Sequence, residues 1–205
     1  MTNHFDNVAQ DWDKNQVHIK RTEAIATEIL KIIPTKKNLK ALEFGAGTGL
    51  LSFALKDSFS EITLMDSSLE MINTTNRKIA NSGIGHLHPI FFDLEKNDYN
   101  GKLFDFIFSQ MALHHIDIIE EMVLKFYKLL SQDGQLAISD LYKEDGTFHD
   151  NDFKGHYGFN PDDLAQILSK QGFKQVNYNK CFEIPKEIEG KIVKNYPIFL
   201  LTAVK

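Results

Sequence analysis

A single cysteine, Cys181, in 205 residues leaves the chain without an internal disulfide, and with no Cys/His cluster around it there is no zinc-binding pattern. No metal site is expected. Cys181 stands in NKCFEI, an alternating stretch that reads as strand. Positive charge is also in short supply: 23 Lys and Arg stand against 28 Asp and Glu, a net charge of -5. Without a clustered basic stripe interleaved with aromatics, nucleic acid is not expected as a partner. No uninterrupted apolar run approaches the roughly 18 residues of a membrane helix, and no charged-apolar-small leader opens the sequence, so a cytoplasmic protein with no membrane partner is expected. For the same reason the sequon Asn73-Thr74-Thr75, in a helical stretch, loses its meaning. There is no internal repeat, low-complexity tract or Pro/Gly/Ser linker, and one domain over residues 1–205 is expected.

What is present is an alternation of short apolar runs with amphipathic stretches. Residues 17–33 place Ile25, Ile29, Ile32 and Ile33 at helical spacing before Pro34. Strands are then expected at 40–44, 61–66, 88–92, 104–109 and from Gly134 to Asp140, separated by helices after Gly49, after Ser67-Ser68 and around Ile119, Met122, Phe126, Leu129 and Leu130. Such alternation predicts a parallel sheet covered on both faces, with ligands at the carboxyl ends of its strands. The ending differs. Asn160-Pro161-Asp162-Asp163 opens a helix that Gly172 stops, after which 175–184 and 198–204 read as two strands with no helix between them, hence an antiparallel pair. The stretch 143–159, KEDGTFHDNDFKGHYGF, is a long polar and aromatic loop of the kind that builds lids.

The most informative segment is LEFGAGTGLLSFAL at 42–55, in which Gly45, Gly47 and Gly49 follow a strand and precede a helix. The dinucleotide fingerprint is G-x-G-x-x-G, whose third glycine lets the helix pack beside a pyrophosphate. Here the spacing is G-x-G-x-G, and Leu50 stands where that third glycine belongs, which weakens a nicotinamide-dependent oxidoreductase as a reading. Asp66 ends the second strand about twenty residues after the loop, where an acid meets ribose hydroxyls or caps the next helix. Asp93 ends the third, placed either to accept from an adenine amino group or to sit in a solvated turn.

With these pieces on the page, the chain resembles the class I S-adenosylmethionine-dependent methyltransferases of the small-molecule type. The matching segments are EFGAGTG, LMDSSLEMI around Asp66, FFDLE around Asp93, FDFIFSQMALHHI and LLSQDGQLAISD, covering about residues 38–141. The resemblance implies an α/β fold: a Rossmann-like seven-stranded, mostly parallel sheet with helices on both faces and an antiparallel C-terminal strand pair. It implies S-adenosyl-L-methionine as cofactor, leaving as S-adenosyl-L-homocysteine, held by Gly45, Ala46, Gly47, Gly49, Asp66, Ser67, Asp93, Leu94, Gln110 and Met111. FDNVAQDWD at 5–13 resembles the N-terminal segment that closes over the site in such enzymes, so 1–37 is expected to form a lid and helix. Trp12 is then a lid residue or part of a surface helix.

Methyl transfer draws mainly on proximity and orientation, with a general base only where the acceptor loses a proton. His114 and His115 follow the fourth strand. A neutral imidazole can take that proton, and His115 is the preferred catalytic candidate; the alternative is that one of the pair caps the following helix and the other contacts the cofactor or backbone. His149, His156 and Tyr157, with Trp12, are expected to wall the acceptor pocket, and Asp140 to face the acceptor or a loop amide. Lacking an Asn-Pro-Pro-aromatic segment after strand four, the chain is expected to act on a small molecule rather than a nucleobase. A cofactor-binding module without transferase activity, working through a protein partner, keeps the same residues and is the competing reading.

Overall fold

The computed structural model describes residues 9, 11–149, 152–188, 190 and 192–205. Seven strands form one sheet in the order β3-β2-β1-β4-β5-β7-β6. They are β1 (Lys40–Phe44), β2 (Glu61–Asp66), β3 (Leu87–Phe91), β4 (Phe104–Gln110), β5 (Leu130–Leu141), β6 (Lys174–Ile188) and β7 (Ile192–Val204). The first five run parallel, and β7 lies antiparallel between β5 and β6. This is the seven-stranded, mostly parallel sheet with an antiparallel end that the sequence led us to expect.

Among the described residues five α-helices cover it: α1 (Gln16–Leu30), α2 (Leu50–Leu55), α3 (Leu69–Ser82), α4 (Ile119–Leu129) and α5 (Pro161–Lys170). Period-two alternation along the strands sorts the core into two faces. Leu42, Phe44, Leu136, Ile138, Phe199 and Leu201 pack with Met122, Phe126, Leu164 and Leu168 of α4 and α5. Their neighbours Ala41, Ala137, Leu141, Ile198 and Leu200 pack with Ile25, Ile29, Leu51 and Leu55 of α1 and α2. Helix starts follow local chemistry: Asn15, Ser68 and Asn160 each accept a backbone N–H of the first turn, and Pro161 fixes the first turn of α5.

Three elements depart from expectation. α1 stops at Leu30, and Ile32 and Ile33 pack on the core from the turn that follows. β5 begins at Leu130, ahead of the turn at Asp133, whose φ of 62° marks the left-handed backbone. The final hairpin is far longer than 175–184 and 198–204, pairing as far as Ile188 with Ile192. Pro185 and Pro197 argue against strand in the sequence, yet β6 is an edge strand, where Pro185 is tolerated. Side-chain anchors hold the extension, Lys186 Nζ donating to the Phe148 carbonyl at 2.6 Å and Lys194 pairing with Asp145 at 2.5 Å. Among the described residues no helix is long and apolar enough to cross a membrane.

Candidate active site

The carboxyl ends of β1, β2, β4 and β5 converge on one edge of the molecule, and the candidate residues gather there. After β1 the chain turns through Gly45 to Gly49. Gly45 has φ +64°, and a Cβ there would lie 2.4 Å from Ala112 Cβ; at Gly49, with φ +77°, one would lie 2.7 Å from Leu64 Cδ2. Both the left-handed backbone and the close approach therefore demand glycine. At Gly47 the nearest atom to an added Cβ is Met71 Sδ at 3.9 Å, so this peptide faces open room. Backbone bonds hold the turn, Ala46 N–H to Met65 O at 3.0 Å and Gly49 N–H to Ala46 O at 2.8 Å. The Thr75 hydroxyl donates to the Gly47 carbonyl at 3.0 Å.

Asp66 joins this cradle to β2. Its carboxylate accepts the Gly47 N–H at 2.7 Å and the Ser68 N–H at 2.8 Å. Each carboxylate oxygen takes more than one hydrogen bond, so fixing the loop is compatible with meeting a hydroxyl pair. Ser67 lies exposed beside it. Asp93 turns its carboxylate to Lys96, 2.5 Å from Nζ and 3.2 Å from the backbone N–H, and this pairing holds it below the usual aspartate range against the cost of partial burial. Leu94 is buried in the α4-side core. The structure thus places Asp93 in a capped turn and Leu94 in core packing.

Gln110 ends β4 with its amide locked to the Thr22 hydroxyl of α1, at 3.1 and 3.2 Å. Met111 follows with φ +53°, tied by its N–H to the Ser139 carbonyl at 2.8 Å. A left-handed methionine costs on the order of 1–3 kcal/mol and is characteristic of functional turns. Before it on the chain, the short 3-10 turn Trp12–Lys14 reaches across. Trp12 is half-buried, its ring 4.3 Å from that of His18, while Asp13 accepts the Thr48 hydroxyl at 2.5 Å and pairs with Lys78 at 2.6 Å. Most of the expected lid segment 5–13, apart from Ala9 and residues 11–13, lies outside the described residues, as does Asp150.

Beyond Met111, the histidines draw together. His114 is buried, its Nδ1 2.6 Å from Asp140 Oδ1 and its backbone N–H 3.1 Å from Oδ2. Asp140 also accepts the Leu141 N–H at 2.7 Å. Complete burial would raise its pKa, but His114 and these amide donors outweigh burial and hold it below the usual range. On the other side of the ring, His114 Nε2 lies 3.3 Å from His149 Nε2. His149 in turn stacks on Phe153, centroids 3.7 Å apart and planes 8° from parallel. The His115 ring lies 4.2 Å from that of His114 and packs edge-on to Phe153. Two of the expected wall residues do other work or lie further out: His156 Nε2 is 2.9 Å from the Ile116 carbonyl, lacing the loop to the His114 turn, and Tyr157 is exposed beside Gly146.

Three residues escaped the sequence reading. Glu43, in β1, is completely buried, receives the Ser52 N–H at 3.1 Å and the Ser52 hydroxyl, and is pushed up to about 8 by burial. An acid inside the apolar run KALEF was the available signal. Arg21, on the buried face of α1, has a guanidinium Nε with no hydrogen-bond partner among the described residues; burial lowers it to about 10 while the charge of Asp140 opposes. Asp13 carried no signal, because its partners are 35 and 65 positions away. Cys181, half-buried, is pushed up to about 11 by burial and is no thiolate nucleophile.

Comparison with known proteins agrees with this fold. The family model of a methyltransferase domain matches residues 17–178. An uncharacterized methyltransferase of Schizosaccharomyces pombe is 31% identical over 139 residues, 64% of this chain and 46% of that protein. A malonyl-[acyl-carrier protein] O-methyltransferase of Enterobacter lignolyticus is 25% identical over 126 residues, 62% of this chain and 48% of its own length. The chain thus spans about half the length of these curated relatives. Among solved structures, Haemonchus contortus phosphoethanolamine N-methyltransferase 2 in complex with S-adenosyl-L-methionine superimposes with a TM-score of 0.71 at 17% identity, covering 100% of this chain and 60% of that one.

Proposed function

The chain belongs to the methyltransferase-domain family, and from that premise we propose that it transfers a methyl group from S-adenosyl-L-methionine to a small-molecule acceptor. One observation carries the reading: the glycine cradle tied to Asp66 and the imidazole cluster on Asp140 open from the carboxyl ends of the same sheet. The residues present fit the cofactor, since of the three glycines of the turn Gly47 alone leaves open room beside its Cα, and Asp66 stands next to it. When bound, the cofactor supplies an electrophilic methyl on a cationic sulfonium.

The chain's own residues do the rest. Gly45, Ala46, Gly47 and Gly49 bring backbone close to the ligand, Asp66 and Ser67 meet its hydroxyls, and Gln110, Met111, Asp93 and Leu94 border it. Arg21 holds a buried cation whose Nε has no hydrogen-bond partner among the described residues, which suits an anionic group on a ligand. The acceptor approaches from the side of His115 and His149, with Trp12 as its remaining wall; His156 supports that side indirectly by lacing the loop to the Ile116 carbonyl. Both ring nitrogens of His114 are engaged, one by Asp140 and one by His149. His115, less buried than His114 and beside it, is taken as the base that accepts the acceptor's proton as its heteroatom lone pair bonds to carbon. The relatives named as an O- and an N-methyltransferase support a heteroatom acceptor.

Calorimetry with S-adenosylmethionine, S-adenosylhomocysteine and the nicotinamide dinucleotides tests the donor half; binding of a dinucleotide alone overturns it. Methyl-labelled cofactor incubated with fractionated metabolite extract, followed by mass spectrometry of labelled products, tests the acceptor half. Label in a small molecule is expected. Label confined to protein or nucleic acid overturns that half, and label in nothing favours the binding-module reading.

A further inference from the structure

We propose that His114, His115 and His149 form a binding site for a divalent ion of the zinc class. One nitrogen from each ring lies within 4.8 Å of the other two. The sequence showed no such site, because its two halves are 34 residues apart and His149 sits in a loop without metal-ligand spacing. The fold brings them together at the end of β4.

The geometry is closer to a ligand set than to packing. Two nitrogens bound tetrahedrally at about 2.0–2.1 Å from zinc stand about 3.3 Å apart, and His114 Nε2 and His149 Nε2 are separated by 3.3 Å. His114 is held from behind: Asp140 Oδ1 contacts Nδ1 at 2.6 Å, directing Nε2 toward its neighbours, as carboxylates behind zinc-bound imidazoles do. Asp140 is itself fixed by two backbone N–H groups, so it cannot swing away, and its charge offsets that of an ion. Phe153 sets the plane of His149 by stacking and borders His115 edge-on. Imidazole donors select borderline ions such as zinc, cobalt(II) or nickel.

Three protein nitrogens leave an open position, the arrangement of catalytic rather than structural zinc. This deepens the methyl-transfer reading and rests on it for its role: the acceptor's hydroxyl, thiol or amine occupies that position. With the ion bound, His115 is a ligand in place of a base: the ion lowers the acceptor's pKa, and the acceptor's proton leaves to water before the heteroatom is methylated. No electron transfer is involved.

The test uses tag-free, chelator-treated protein titrated with zinc and, separately, with cobalt(II). One ion per chain is expected, with cobalt(II) giving the visible ligand-field absorption of a low-coordinate site. His149→Ala, in a loop, should weaken binding more than tenfold and abolish that absorption. Asp140→Asn, which removes no ligand, should weaken it roughly 10–100-fold. His88→Ala, on β3, should leave it unchanged. S-adenosylmethionine affinity, measured on the same samples, reports folding and the donor site independently. Cofactor binding without saturable ion binding, or equal ion binding by wild type and His149→Ala, overturns the ion site and leaves the methyl-transfer reading standing.

Discussion

The Gly47 amide donates to Asp66 Oδ2 at 2.7 Å, across 19 positions of sequence, and so couples the glycine turn after β1 to the end of β2. One carboxylate thereby shapes the cradle, and in the proposed function it also meets the cofactor's hydroxyls. Asp66→Ala removes a charge-assisted bond and should weaken S-adenosylmethionine binding by at least about 1 kcal/mol. Asp66→Asn keeps one acceptor oxygen and should lose less. Calorimetry at one ionic strength decides; unchanged affinity in the alanine variant removes Asp66 from the site.

Glu43 predicts a pH dependence of stability with a definite sign. Burial raises its carboxyl to about 8, so the folded chain keeps a proton that the unfolded chain releases above the ordinary glutamate range. Between that range and about 8 the folded state binds more protons, and stability falls as pH rises. The contribution is whole below the ordinary value and is lost through the folded one. Glu43→Gln holds the neutral form permanently. Its melting temperature should fall less than that of wild type between pH 5 and pH 8, and parallel curves would refute the assignment.

The Asp13 latch gives a prediction about motion. Asp13 meets Thr48 of the cradle and Lys78 of α3, and Lys78 also donates to the Thr48 carbonyl at 2.7 Å. The charges are about a quarter to a third exposed, 26% and 33%, so screening limits the pair to about 1 kcal/mol or less. Asp13→Ala should therefore leave global stability nearly intact while raising amide exchange over residues 11–15 and weakening cofactor binding several-fold. Lys78→Ala should do the same, and the two effects should not add. Fully additive effects would mean that the network does not act as a unit.

The succession of strands along the chain, the glycine turn and the antiparallel ending were legible in the sequence because they rest on local signals: apolar runs of five to seven residues, glycine spacing and an acid at a strand end. Asn160-Pro161 marked the start of α5 by the same kind of chemistry. The His114 cluster was legible only in pieces. His115 and His149 could be named as site residues, but their convergence depends on where a long loop lands. The Asp140–His114 bond, likewise, joins neighbouring strands 26 positions apart. The hairpin beyond Ile184 was hidden for a different reason: Pro185 and Pro197 speak against strand locally, and the place of β6 at the sheet edge is what admits Pro185.

Gly45 separates backbone strain from steric fit. At φ +64° an alanine pays the left-handed penalty, and its Cβ would stand 2.4 Å from Ala112 Cβ, far inside contact distance. Gly45→Ala should cost several kcal/mol, the left-handed share being on the order of 1–2 kcal/mol. Adding Ala112→Gly removes the facing methyl but not the φ, so the double variant should recover the steric share alone. Chemical denaturation of the four proteins measures this directly. Full recovery would mean the turn tolerates a side chain once space is made; no recovery would mean that the conformation, not the contact with the segment leading to His114, is what glycine supplies here.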